Sequence, residues 1–192
     1  ATNEAGAFPT RNFQTGVFEG AERISGELMR EKYTVKISPC PRCPIACNRV
    51  TLAKEWPYVG SVTEGPEYET LALLGGNCGI DRMDAIIAAD RLCDEYGLDT
   101  ISAGNVIAFA MECYEKGIVT KEDIDGLELR FGNDQAMIEI LRQISFRQGL
   151  GNVLAEGVRS ASKTIAEETG RFAIHVKGME LPGYDPRAMP DK

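Results

Sequence analysis

Histidine, tryptophan, long apolar runs and basic charge are all scarce or missing in this chain. Its 192 residues include one His, His175, and one Trp. No stretch approaches the roughly 18 apolar residues that a bilayer-spanning helix needs, which excludes a membrane span. Lys and Arg number 21 against 29 Asp and Glu, for a net charge of −8. That balance removes the broad phosphate-binding footprint of nucleic-acid binders and argues against acidic partners and anionic lipid. Repeats of fixed period and low-complexity tracts are absent.

Hydrophobic residues at 43% and charged residues at 26% match folded globular proteins. The length suits one domain, or two small ones, with a core that needs no staples. Six cysteines are spread unevenly: Cys40, Cys43 and Cys47 fall within eight residues, while Cys78, Cys93 and Cys113 lie in apolar periodic stretches. This is no disulfide framework; it reads as a metal or redox site in a reducing compartment, with the cytoplasm as the expected location. Residues 1–30 carry no signal-peptide core, and Ala1 to Arg11 reads as the middle of a longer chain.

The patterning predicts a mainly α, multihelical single domain over 1–192, with a loop-rich part over 1–62 and a helical part over 63–192. Glycines and Pro9 break up the first part around a helix from about Ala21 to Arg30 and short strands near Tyr33–Ile37 and Arg49–Ala53. A helix over Pro66–Leu74 follows. Asp81 is the expected N-cap of a helix ending at Gly97, and Ser102 that of the next, ending at Gly117, the two forming an antiparallel hairpin. Thr120 and Asp123 suggest a capping box for one turn ending near Gly126. Asn133 should open a helix closed by Gly149, and a last helix should run from Gly151 or Asn152 to about Thr169, before a strand-like Phe172–Val176.

Cys40-Pro-Arg-Cys43-Pro-Ile-Ala-Cys47 is a C-x2-C-x3-C array, so three thiolates can reach one centre without help from distant sequence. Zinc and a cubane iron–sulfur cluster both want a fourth ligand. His175 is far away, and prolines follow two of the cysteines, which weighs towards iron–sulfur. The fourth ligand is then another cysteine here or a residue outside this chain. A zinc-binding or non-catalytic iron–sulfur module for structure or electron transfer is the alternative.

Glu64, Glu67 and Glu69 surround a helix start, where the dipole favours acids; one of them pointing into a cavity would be a proton-transfer group. Glu67 and Glu69 face different sides. In Asp94-Glu95-Tyr96-Gly97-Leu98-Asp99, acids in a last helical turn oppose the dipole. The turn suits either a Schellman cap with solvated acids or the N–H-rich edge of a polar heterocycle. His175 receives no role.

Five ordered segments, Pro9-Thr10-Arg11-Asn12-Phe13, the cysteine array, Thr63-Glu64-Gly65-Pro66-Glu67-Tyr68-Glu69, Cys93 to Ser102 and Glu180-Leu181-Pro182-Gly183-Tyr184-Asp185-Pro186-Arg187, closely resemble the tungsten-containing aldehyde ferredoxin oxidoreductases. The resemblance covers essentially the whole chain and implies a fragment, the middle helical domain of a longer, cytoplasmic, anaerobic enzyme. It implies a tungsten (or molybdenum) bis-pterin shared with absent domains, and a 4Fe-4S cluster passing electrons from an aldehyde substrate to ferredoxin. Cys40, Cys43 and Cys47 would be three cluster ligands, with the fourth in a missing domain. Asp94, Gly97, Leu98 and Asp99 would belong to a pterin-binding D-x-x-G-L-D motif. Glu69 would assist proton transfer near the metal, with Glu67 as second choice. Where some members carry a Glu-x-x-His for a metal between subunits, this chain has Ala88 and Arg91, so that metal is not expected and a homodimer through that surface is left open.

Overall fold

The computed structural model describes residues 1–188; the last four residues of the expected helical part lie outside the described residues. The N-terminal part opens with a left-handed turn in which Arg11, Asn12 and Phe13 all have positive φ (48, 55 and 60°). Such backbone is costly for non-glycine residues and persists only where its surroundings hold it. Here the amides of Arg11 and Asn12 donate to the carbonyls of Gly76 and Asn77, that of Phe13 donates to Asn77 Oδ1, and Asn12 Nδ2 donates to Glu112 Oε2 at 2.7 Å.

The expected helix over Ala21–Arg30 is a composite: a 3-10 turn (Ala21–Ile24), a single α turn α1 (Gly26–Leu28) capped by Ser25, and a π turn (Met29–Tyr33). β1 (Thr34–Ile37) and β2 (Arg49–Leu52) follow as expected, and a two-residue β3 (Val62–Thr63) completes an antiparallel sheet of order β1-β2-β3.

The helical part begins at α2 (Tyr68–Thr70), with Glu67 as N-cap residue and Pro66 before it in a cis peptide, not within the first turn. A π turn (Leu71–Gly75) and a 3-10 turn (Gly76–Cys78) carry α2 into the core, where Ala72, Leu73 and Leu74 are fully buried. α3 (Met83–Tyr96) and α4 (Thr100–Glu115) come next. Asp81 does not cap α3; it pairs with Arg23, and Arg82 takes the cap position without a side-chain bond. Asp99, not Ser102, caps α4. The two helices are not a side-by-side hairpin. α3 packs mainly on α5 (Asp134–Phe146) and α4 on the Leu71–Cys78 segment, which touches both. α4 is buried all round from Ala103 to Cys113, so it needs neighbours on every side. Gly104 allows its closest approach: a Cβ there would lie 2.6 Å from the Leu73 carbonyl carbon.

Asn133 caps α5 as expected, its Oδ1 accepting from the Ala136 amide at 3.1 Å, but the helix closes on left-handed Arg147. Gly149 opens α6 (Gly149–Leu154), and Gly157, at φ 81°, separates it from α7 (Val158–Ile165), so the single last helix is two. The expected strand over Phe172–Val176 shrinks to β4 (His175–Val176), paired with β5 (Met179–Glu180). Among the described residues no helix is long and apolar enough to cross a membrane.

Candidate functional site

The cysteine array forms the loop between β1 and β2, closed at its base by the Ser38 amide donating to the Asn48 carbonyl at 3.1 Å. Pro39, Pro41 and Pro44 remove donors and hold the loop out of helix and sheet. Cys43 turns back on Cys40 through an N–H···O bond of 3.0 Å, and Arg42 and Ala46 take left-handed backbone. Cys40 and Cys47 are exposed and Cys43 half-buried. The amides of Ala46 and Ile45 point at the Cys43 sulfur and hold its thiol below the ordinary value, favouring the thiolate that binds metal.

The remaining cysteines are core residues. Burial pushes the Cys93 and Cys113 thiols up to about 12, and the Cys78 thiol up as well. Cys78 Sγ donates to the Leu73 carbonyl at 3.3 Å. All three are buried in the core, whereas the array lies on an exposed loop. Among the described residues, no group of three or more His, Cys, Asp and Glu stands close enough to hold a metal ion. The donor chemistry of the loop still fits a thiolate-ligated centre: three accessible sulfurs on one short loop, one already biased to the anion. His175 is elsewhere, its Nδ1 accepting from the Gly178 amide in a cleft with Arg159 and Lys163.

α2 is the hub of the site. Its N-cap Glu67, exposed and without a capping bond, lines a cleft of about 460 Å³ with Cys47, Arg30, Arg49 and Tyr68. Glu69 turns the other way, its Oε2 accepting from the Gly183 amide at 2.5 Å, while the Tyr68 hydroxyl donates to the Gly183 carbonyl at 2.7 Å. Burial raises the Tyr68 phenol to about 12, so it remains a donor.

Gly183 belongs to a strap that ties the site together. Upstream, Glu180 accepts from the Val158 amide (2.8 Å) and the Ser102 hydroxyl (3.2 Å), and the Leu181 carbonyl accepts from Asn105 Nδ2 (2.9 Å). Downstream, the Asp185 amide donates to the Ala7 carbonyl at 2.9 Å. In the sequence alone the strap is only a motif; its contacts with Glu69 and Ser102 join residues too far apart in the chain to be read from spacing.

The Asp94–Asp99 turn has the geometry of a Schellman cap. Gly97 is left-handed (φ 69°, ψ 37°), and the Leu98 amide donates to the Cys93 carbonyl at 2.8 Å. Asp99 Oδ2 accepts from the Ser102 amide at 2.8 Å, and Asp99 borders a cleft of about 340 Å³ with Leu98, Ser102 and Glu180. Asp94 is exposed one turn beyond Asp90, a buried acid that the sequence reading passed over. The capping role and a ligand role are compatible, because Asp94 Oδ1 and the second oxygen of Asp99 remain open to N–H donors.

The sequence reading also missed a charge segregation hidden by the net value. From Met29 to Lys54 there are six basic residues, Arg30, Lys32, Lys36, Arg42, Arg49 and Lys54, and one acid, Glu31. Among the described residues none of the six enters an ion pair, whereas most other cations do. The cysteine loop therefore stands on a locally positive surface, where an acidic partner is not disfavoured.

Residues 1–191 match the family described as aldehyde ferredoxin oxidoreductase, domains 2 & 3. The chain is 49% identical over 188 residues to the tungsten-containing aldehyde ferredoxin oxidoreductase of Thermococcus kodakarensis, and 47% identical over 188 residues to that of Pyrococcus furiosus. Each alignment covers 96% of this chain and 30% of the relative. It is also 35% identical over 184 residues to the aliphatic sulfonate oxidoreductase, WOR-like subunit, of Pyrococcus furiosus. Its fold is shared, at a TM-score of 0.76 and 24% identity over 95% of this chain and 27% of the other, with the active site complex BamBC of benzoyl coenzyme A reductase in complex with 1,5-dienoyl-CoA. The chain thus spans about 30% of the length of the curated relatives it matches, and it belongs to the aldehyde ferredoxin oxidoreductase family.

Proposed function

We propose that this chain is the middle part of a cytoplasmic aldehyde ferredoxin oxidoreductase, which turns an aldehyde and water into a carboxylic acid, two electrons and two protons. The observation that carries this reading is the meeting at α2 of three sets of residues. Glu67 shares a cleft with Cys47, Glu69 is gripped by the strap, and Thr70 bonds to Asp90 and Thr100, which flank the Asp94–Asp99 turn.

When bound, a tungsten (or molybdenum) bis-pterin would supply the two-electron oxidation, and a cubane iron–sulfur cluster the one-electron exit. Cys40, Cys43 and Cys47 would hold three corners of that cluster, the fourth ligand coming from the rest of the parent chain. Asp94 and Asp99 would accept from the pterin's ring N–H donors, with Gly97 and Leu98 shaping the turn between them. Glu69 is the residue that holds or moves the substrate proton. The Gly183 amide fixes its Oε2 and leaves Oε1 as the working atom. Glu67, facing the cysteine side, is the second candidate. The basic surface around the loop would draw in an acidic electron carrier, for which ferredoxin is the family partner.

The test is an anaerobic assay of the full-length parent with a panel of aldehydes and ferredoxin. Aldehyde-dependent reduction is expected, and Glu69→Gln should lower kcat by about 10²–10⁴-fold, the usual worth of a positioned acid–base group, with tungsten and pterin retained. Absence of aldehyde-dependent reduction in a tungsten- and pterin-loaded enzyme would overturn the aldehyde assignment. A full-strength Glu69→Gln variant would overturn the role of Glu69.

A further inference from the structure

Asp90 is buried in the middle of α3, yet no ion pair reaches it among the described residues. Its polar partners are hydroxyls. Thr63 Oγ1 lies 2.8 Å from Oδ2 and Thr70 Oγ1 3.2 Å from Oδ1. Thr63 Oγ1 also lies 3.4 Å from Asp94 Oδ2, and Thr70 Oγ1 lies 3.1 Å from Thr100 Oγ1.

Counting protons shows that one is missing; on exposed Asp94 it would satisfy the same contacts, so it is burial that places it on Asp90. These four contacts share only the three hydroxyl protons of Thr63, Thr70 and Thr100, and a carboxylate can only accept. Were both acids ionised, Thr63 would spend its proton on Asp90 and face Asp94 with a lone pair. One more proton, on Asp90 Oδ2, satisfies all four contacts in a single direction: Thr100 donates to Thr70, Thr70 to Asp90, Asp90 to Thr63 and Thr63 to Asp94. Both ends of this chain lie in the Asp94–Thr100 segment. Its middle runs through α2, beside Glu69, and through β3.

We propose that Asp90 is a neutral carboxylic acid that stores a proton for the candidate cofactor turn. Release is concerted: Asp90 Oδ2 passes its proton to Thr63 Oγ1, whose own proton moves to Asp94 Oδ2, leaving Asp90 a carboxylate and Asp94 an acid. The titratable groups facing Asp90 are Asp94 and Cys93 from its own helix and Glu67 from the start of α2. All are acidic, and burial foremost raises the Asp90 carboxyl above the ordinary range. β3 and α4 contribute only the hydroxyls of Thr63 and, by way of Thr70, Thr100. The location of the proton is independent of the proposed function; its use as a store rests on that reading.

Infrared spectra of the full-length parent at neutral pH, with and without ¹³C-aspartate, test the location, and the metal-free enzyme serves as well as the loaded one. A carbonyl band of a neutral, hydrogen-bonded carboxylic acid is expected in the wild type and absent in Asp90→Asn. The amide can accept from Thr70 and donate to Thr63, so this variant should keep the wild-type melting temperature, while Asp90→Ala should melt lower. In the loaded enzyme Asp90→Asn should lose tenfold or more in kcat/KM and change its pH profile, having no proton to release. No carboxylic acid band, or Asp90→Asn melting as low as Asp90→Ala, would overturn the proposal. A band with unchanged kcat/KM and pH profile in Asp90→Asn would overturn the store and leave Asp90 a positioning residue.

Discussion

The Gly183 amide donates to the Glu69 carboxylate at 2.5 Å across 114 residues of sequence, so the candidate proton-transfer acid is aimed by the C-terminal strap and not by its own helix. Gly183 has no room for a side chain. A Cβ there would fall 2.7 Å from Ala72 Cβ and 2.9 Å from Glu69 Oε2. Gly183→Ala should therefore cost roughly 1–3 kcal/mol, as overpacking does, and lower aldehyde turnover by displacing Glu69. Thermal unfolding and steady-state kinetics of the full-length parent check both; a variant as stable and as active as the wild type would contradict the strap's role.

The other end of the strap is pinned by Asp185, whose carboxylate is nearly inaccessible (1%) and is held by Arg187, which also donates to the Phe13 carbonyl at 2.5 Å. Arg187 keeps the Asp185 carboxyl below the ordinary range. A carboxyl whose pKa is lowered on folding adds stability above its unfolded value, about 3.9, and loses it as pH falls through the folded value. Arg187→Gln should be less stable than the wild type by roughly 1–3 kcal/mol at pH 7, and the gap should close below about pH 4. Unfolding temperatures over pH 2–7 measure this; a gap that persists at low pH would assign the loss to packing.

Among the described residues the cations of the cysteine hairpin enter no ion pair, which predicts salt-sensitive partner binding. The double change Lys36→Glu with Arg42→Glu should raise KM for ferredoxin about tenfold at low ionic strength, and added salt should shrink the difference as screening sets in. Rates with an uncharged small-molecule acceptor should not change. A KM that ignores both the charge reversal and the salt would move the docking surface elsewhere.

The parts of the fold legible in the sequence were those written in local chemistry. Asn133 caps α5 through an amide three residues away, and Gly97 ends α3 by its own left-handed backbone. Asp81 looked like an equally good cap, but Arg23, 58 residues distant, claims it. α6 and α7 read as one helix because apolar spacing continues across Gly157, whose positive φ is invisible in composition. The site divides the same way. The cysteine array needs no tertiary context to be noticed. Asp90 stands out only when folding brings Thr63 and Thr70, 27 and 20 residues away, to its two oxygens. The basic hairpin was concealed by a net charge taken over the whole chain.

In the proposed parent enzyme, Cys40, Cys43 and Cys47 hold an iron–sulfur cluster beside a pterin-bound metal. Metal and pterin analysis of the anaerobically purified full-length protein, with an EPR spectrum after reduction, tests it most directly. The expected result is tungsten or molybdenum with pterin, about four irons per chain as a cubane cluster requires, and a reduced-cluster signal that Cys43→Ser weakens or abolishes. Zinc in the cysteine loop, without pterin or a reduced-cluster signal, would contradict it and leave the array a structural site.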